Sequence, residues 1–215
     1  MTYEELKIQL DLNESIDILK SIGRKTKDNK WFVVCDNGDC HLFGNNGNEI
    51  DISKIKILYE YLIPKDIKKI IVPDSVKEIG EYTFALCENL ISINISDSVE
   101  HIGYSAFQIC NGLTSIIIPN SVKHIENTAF AYCENLTSIV IPDSVEHIGD
   151  TAFAWCEKLT SIIIPDSVEY IGDDVFYACI NLKSIIFKDK TIEQVKSMKN
   201  YPFGIHDKSI IKCIS

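Results

Sequence analysis

The chain has 215 residues, 46% hydrophobic and 24% charged, with a formal net charge of −10 and a pI of about 4.9. That composition belongs to folded globular proteins and excludes a disordered chain. The acidic balance argues against nucleic acid, whose phosphates need a clustered basic surface, and an anionic membrane would repel it. Apolar runs are as short as Ile116-Ile117-Ile118, so no membrane insertion is expected.

The first residues, Met1-Thr2-Tyr3-Glu4-Glu5, lack the basic and apolar regions of a signal peptide, which predicts a cytoplasmic protein. Residues 2–22 are predicted as an amphipathic helix, with Leu6, Leu10, Ile16, Ile18 and Leu19 near helical spacing and Asn13 interrupting the pattern. Residues 25–30 form a polar loop. Trp31 to Cys35 and Cys40 to Phe43, joined through Asn37-Gly38, predict a β-hairpin. A zinc reading of Cys35, Cys40 and His41 fails for want of a second ligand pair at zinc spacing.

From about residue 48 the sequence repeats itself. Phe84, Phe107, Phe130, Phe153 and Phe176 share a register of 23 residues, and so do Cys87, Cys110, Cys133, Cys156 and Cys179. A fixed period of this length signals a solenoid. The first coil, from near Ile50, is worn: Tyr61 and Ile67 hold register, but Lys56 stands where Ile79 predicts an apolar residue, with Ile55 and Ile57 on either side. The unit reads Leu-x-x-Ile-x-Ile-Pro-Asp-Ser-Val-x-x-Ile-Gly-x-x-Ala-Phe-x-x-Cys-x-x-Leu. Its first part is a short strand with alternate side chains inward, ended by Pro73, Pro119, Pro142 and Pro165. Asp-Ser is turn chemistry. Gly80, Gly103, Gly149 and Gly172 suit a turn with positive φ, although Glu126 replaces glycine in one coil. The spacing of Ala, Phe, Cys and Leu predicts one or two helical turns as the return leg. Five of the 8 cysteines lie in the repeat and are expected to be reduced, buried apolar fillers.

Beyond residue 187 the pattern changes. Lys188 replaces the proline, residues 191–199 predict a helix capped by Thr191, residues 201–204 predict a turn, and Ser209 to Cys213 echoes Ser184 to Phe187 as one last strand. The domain reading is therefore an N-terminal cap at 1–47, a solenoid at 48–187 and a C-terminal cap at 188–215. A solenoid exposes its core at each end, so it needs atypical closing elements.

The run from Leu159 to Val168, with Ile171-Gly172, Val175-Phe176 and Cys179-x-x-Leu182, resembles the BspA-like (Treponema pallidum-type) leucine-rich repeats. The resemblance covers roughly residues 50–187. It implies an α/β fold: a right-handed leucine-rich-repeat solenoid with short parallel strands on the concave face. It also implies a non-enzymatic role in protein binding or adhesion, often at a cell surface.

With Ile139 and Ile141 inward, Val140 faces outward. The same position through the coils gives Ile71, Asn94, Ile117, Val140, Ile163 and Ile186, with Ile211 as a candidate continuation. Ser115, Ser138 and Ser161 flank this stripe, together with Ser92 and Ser184. These residues are the candidate partner-binding surface, because a contiguous exposed apolar patch marks an interaction site; strand propensity of β-branched residues is the alternative. A second row, Glu78, His101, His124, His147 and Tyr170, forms a linear ladder that does not converge on a metal, but its histidines would repel one another when protonated. Lys77, Glu100, Lys123, Glu146 and Glu169 line the next row as cross-strand pairs. Asp74, Asp97, Asn120, Asp143 and Asp166 mark the turn. No Gly-x-Ser-x-Gly, P-loop, dinucleotide fingerprint or His-Glu-x-x-His occurs, so no catalytic residue, cofactor or metal is predicted. The expected function is a protein-protein interaction module; the alternative is a structural or adhesive protein acting by self-association.

Overall fold

A computed structural model describes residues 31–36, 39–44, 57–58, 68–72, 74 and 76–214. The helix expected at 2–22 and the loop at 25–30 lie outside these residues. Each coil of the repeat contributes a long strand, a turn, a two-residue strand and a turning return leg. The long strands are β4 (Lys69–Ile71), β6 (Ser92–Asn94), β8 (Ser115–Ile117), β10 (Ser138–Val140), β12 (Ser161–Ile164) and β14 (Ser184–Lys188). Where paired, they run parallel in the repeat register, Ser138 opposite Ser115 and Ser161 opposite Ser184. The short strands β5 (Glu78–Ile79), β7 (His101–Ile102), β9 (His124–Ile125), β11 (His147–Ile148) and β13 (Tyr170–Ile171) form a second parallel sheet.

The strands end where the sequence directs. β8, β10 and β12 stop at the residue before the turn-opening proline or one earlier, and β14, which has Lys188 in place of proline, is the longest of the repeat. After the proline, Val122, Val145 and Val168 donate back to Pro119, Pro142 and Pro165, closing a turn. The serine of that turn does more than favour bending. Ser98, Ser121, Ser144 and Ser167 each donate Oγ–H to the carbonyl of Val76, Val99, Val122 or Val145 in the preceding coil, at 2.6–2.8 Å.

The return leg is not helical, and this corrects the α/β expectation: among the described residues the one α-helix is Ile192–Ser197. The backbone N–H groups of Ser105, Phe107 and Ile109 donate to Asn127, Ala129 and Ala131 of the next coil, and the neighbouring coils repeat the arrangement. Those donors are unavailable to a helix. Chained i to i+3 turns, such as Cys110 to Phe107 and Leu113 to Cys110, give the same apolar spacing without one. Aiming three alternate donors one way places the first and third in the left-handed region: Ser105 has φ 50° and Ile109 φ 60°.

The glycine expectation is also corrected. Gly103, Gly149 and Gly172 do not have positive φ; they are needed because their coil lies against the one before. A Cβ at Gly103 would stand 2.9 Å from Gly80 C and from Ile79 O. Glu126 keeps the same backbone bond, to Ile102 O at 2.9 Å; nothing in the structure explains how its Cβ is accommodated.

Inside the coils the phenylalanines form one column. Phe84, Phe107, Phe130, Phe153 and Phe176 stack with successive centroid separations of 5.0, 5.0, 5.5 and 6.0 Å, all within 15° of parallel. They are fully buried, in a core that runs unbroken from Ile70 to Ile211. Each contributes about 1.5–3 kcal/mol by transfer from water. Beside them the cysteine ladder is reduced and buried as expected, but its thiols are also donors. Cys110, Cys133, Cys156 and Cys179 reach Phe84, Phe107, Phe130 and Phe153 carbonyls at 3.1–3.3 Å.

At the N-terminal side the hairpin forms as predicted: β1 (Trp31–Asp36) pairs antiparallel with β2 (Asp39–Gly44). β2 then pairs parallel with β4, Cys40 opposite Ile70, so the hairpin extends the long-strand sheet. Among the described residues of the worn coil stands β3 (Ile57–Leu58), whose Leu58 faces Ile79 across a slipped register. At the C-terminal side Thr191 caps the helix in a capping box with Gln194. Phe203 then accepts from Phe176 N–H at 3.0 Å, where a following coil would. β15 (Ile211–Ile214) pairs with β14, placing Ile211 opposite Ile185.

Two outcomes follow from this packing. Gly149→Ala, which would stabilise an ordinary turn of negative φ, is expected to destabilise the protein by about 1–3 kcal/mol in urea unfolding, because the new Cβ meets Asn127 N at 2.5 Å. Burial pushes the Cys133 and Cys179 thiols up to about 12. Alkylation at about pH 8, read by peptide mass spectrometry, should therefore modify the half-buried Cys213 and spare the ladder cysteines until denaturant is added.

Candidate functional site

The long-strand sheet turns alternate side chains in and out. Ile116, Ile139 and Ile162 are buried, while Ile117, Val140 and Ile163 are 77%, 64% and 44% exposed. Asn94 is exposed and Ile186 half-buried in the same row. Ile71 takes its place on β4 opposite Asn94, Val140 stands opposite Ile117, and Ile163 opposite Ile186. Ser115, Ser138 and Ser161 are exposed beside them. Backbone ladders thus hold the row in three parallel pairs, β4 with β6, β8 with β10 and β12 with β14. The proposed continuation is corrected: Lys212, not Ile211, faces Ile186, and Ile211 is buried. The resemblance of Ser209 to Ser184 is misleading by one residue, because Ser209 and Ile210 are drawn into a 3-10 turn capped by Asp207.

The short-strand sheet carries the histidine row on its outer side. His101 and His124 stack at 4.6 Å and 6°, His124 and His147 tilt at 6.0 Å and 43°, and His147 stacks on Tyr170 at 4.5 Å. Partial burial first, and the neighbouring imidazole of His101 second, lower the pKa of His124, against the opposing pull of Glu126 and Glu146. The adjacent row stacks as expected, Lys77 Nζ lying 3.9 Å from Glu100 between two well-exposed side chains. Such a pair adds a few tenths of a kcal/mol, about 0.5 or less. In the aspartate row Asp74 accepts from Ser96 at 2.6 Å, and Asp143 and Asp166 pair with Lys188 and Lys190. Among the described residues no group of three or more His, Cys, Asp or Glu side chains is arranged to hold a metal.

One row was not read from the sequence. Two residues beyond each column phenylalanine stand Leu86, Ile109, Tyr132, Trp155 and Ala178, at φ between 57° and 62°. Leu86, Tyr132 and Trp155 are exposed, with Tyr177 beside them. The 23-residue comparison that found the phenylalanines would have found these too. Their exposure depends on the left-handed backbone, which the period does not reveal.

Comparison with known proteins places these features in context. The family described as the BspA type leucine rich repeat region matches residues 56–183 and 146–208, in 6 copies. The leucine-rich repeat protein of T. pallidum is 25% identical with a TM-score of 0.57, over 76% of this chain and 71% of that one. A leucine-rich cell surface protein of Faecalibacterium prausnitzii is 31% identical with a TM-score of 0.60, over 64% of this chain and 37% of that one. The pneumococcal vaccine antigen PcpA shares the fold at 24% identity, TM-score 0.60, over 78% of this chain and 39% of its own. The chain thus spans well under half of the latter two. No curated protein matches it significantly. Among the described residues no helix is long and apolar enough to cross a membrane.

The histidine row generates an expectation about acid. A histidine whose folded pKa lies below its unfolded value of about 6.5 binds more protons when unfolded. Its contribution is intact above that value and is lost as pH falls below it. The urea midpoint should fall from about pH 7 to about pH 5, and His124→Phe, which keeps a ring in the stack, should flatten that fall.

Proposed function

Because the chain belongs to the BspA-type leucine-rich-repeat family, we propose that it is a non-enzymatic module that binds a protein partner through the long-strand sheet, taken as the concave face of a right-handed solenoid. The observation that carries this reading is the exposure of Ile117, Val140 and Ile163 at one position of successive long strands, Ile117 and Val140 on one hydrogen-bonded pair and Ile163 on the next. A sheet made only for strand propensity would gain as much from threonine at these positions, without leaving apolar area in water. β-Branched side chains are stiff at χ1, so the array loses little rotamer entropy when a partner covers it. Ser115, Ser138 and Ser161 supply hydroxyls along its flank. In the same reading residues 1–47 and 188–215 close the two ends of the core.

A second reading, self-association, is favoured by β15. Among the described residues it is the end strand of its sheet and carries exposed Ile214, and an unpaired edge is a template for another strand. Light scattering across a range of concentrations separates the two, since a monomer throughout removes self-assembly. The description of the Faecalibacterium relative as a cell surface protein supports presentation of this sheet outside the cell.

The decisive experiment is Val140→Glu with Ile163→Glu. Both sites are exposed, so the thermal transition should hold. Partner recovery in affinity capture should drop by about tenfold or more, the scale of a lost interface anchor. Undiminished recovery of every partner by a normally folded double variant sinks the proposal.

A further inference from the structure

The exposed aromatic row on the return legs is not used by the long-strand sheet and lies on a different face of each coil. Tyr132, Trp155 and Tyr177 are 36–44% exposed. Tyr132 and Trp155 stack at 5.5 Å and 7°, and Tyr177 stands edge-on to Trp155 at 5.7 Å. The rings fix one another, so the row is already in place before anything binds it.

The backbone at these positions makes the aromatics harder to explain as filler. Tyr132 and Trp155 have φ of 60° and 62°, a region that glycine and asparagine enter freely and bulky residues do not. The inter-coil ladder imposes that conformation on whatever residue stands there. It does not impose a ring, since Ala178 occupies the equivalent place one coil on. Tryptophan and tyrosine at a water-exposed, strained position are the residue types that anchor protein interfaces.

Charge indicates what such an anchor would accept. Glu134 and Asp174 are exposed and Glu157 is half-buried, each within three residues of one of the rings. Lys158, the cation of these turns, has its ammonium on Asn135 Oδ1 at 2.6 Å. Three acids against one cation at the turns that carry the rings favour a guanidinium, which stacks on a ring and pairs with an acid; an ammonium ion does only the second well.

We propose that Tyr132, Trp155 and Tyr177 form a second docking ridge, distinct from the long-strand sheet, for an arginine-bearing face of another protein. Isothermal titration calorimetry with a synthetic peptide of alternating arginine and leucine tests it, with glutamate replacing arginine in the control peptide. The arginine peptide should bind and the glutamate peptide should not. The double variant Tyr132→Asn, Trp155→Asn should weaken binding by about tenfold or more while its thermal midpoint stays or rises, because asparagine accepts the left-handed backbone. Val140→Ser with Ile163→Ser, which keeps the net charge, should leave the affinity within about twofold, as distant independent sites do. The proposal is overturned if the asparagine variant binds like the parent, if the loss appears in the serine variant instead, or if the parent is an oligomer that the asparagine variant dissolves, which would assign the ridge to a second copy. Should the double variant fail to fold, Tyr177→Ser, whose φ is not left-handed, carries the same readout.

Discussion

No single coil of this protein can bury its own apolar residues. Twenty-odd residues wound once leave phenylalanine, isoleucine, leucine and cysteine open on both flat sides, and only the next coil covers them. The 5.0–6.0 Å column from Phe84 to Phe176 is the result. The rows of strands and side chains around it follow the same coil-to-coil repeat. Strands pair parallel because one coil repeats the last, and surface side chains line up in rows because their backbones do.

The same constraint explains where polar groups go. A backbone carbonyl inside the stack has no water, so each must find a donor in its own coil or a neighbouring one. The valine carbonyls take a serine hydroxyl and the phenylalanine carbonyls a cysteine thiol, both from the coil that follows. Serine and cysteine are therefore part of the joint between coils as well as turn former and filler. Their recurrence at fixed places follows from the recurrence of the carbonyls they serve.

A rigid stack also defines what its surface can offer. Rows of identical backbone geometry display whichever side chains the sequence places there, with little freedom left to lose on binding. The long strands show aliphatic residues flanked by hydroxyls, the short-strand sheet shows stacked imidazoles, and the return legs show stacked aromatic rings. Three faces with three chemistries are carried by one backbone, and one face can change without disturbing the others because the core is not shared with the outward positions.

The period of 23 residues determined by itself that the chain is a stacked repeat, which residues fill the column, where the long strands end and that Ile117, Val140 and Ile163 face water. These depend on local alternation and on copying, and both are written in the order of the residues. The return leg was different. Apolar residues three apart suit a helix and a chain of tight turns equally, and what separates them is the destination of the N–H groups. That destination is another coil, reached only after stacking, and it sets the left-handed residues and so exposes Tyr132 and Trp155. The glycines show the same division: their spacing marks a place where something must be small, but the neighbour's backbone, not their own φ, is what demands it. Only the tertiary structure holds that neighbour, because it lies a full turn of the solenoid away.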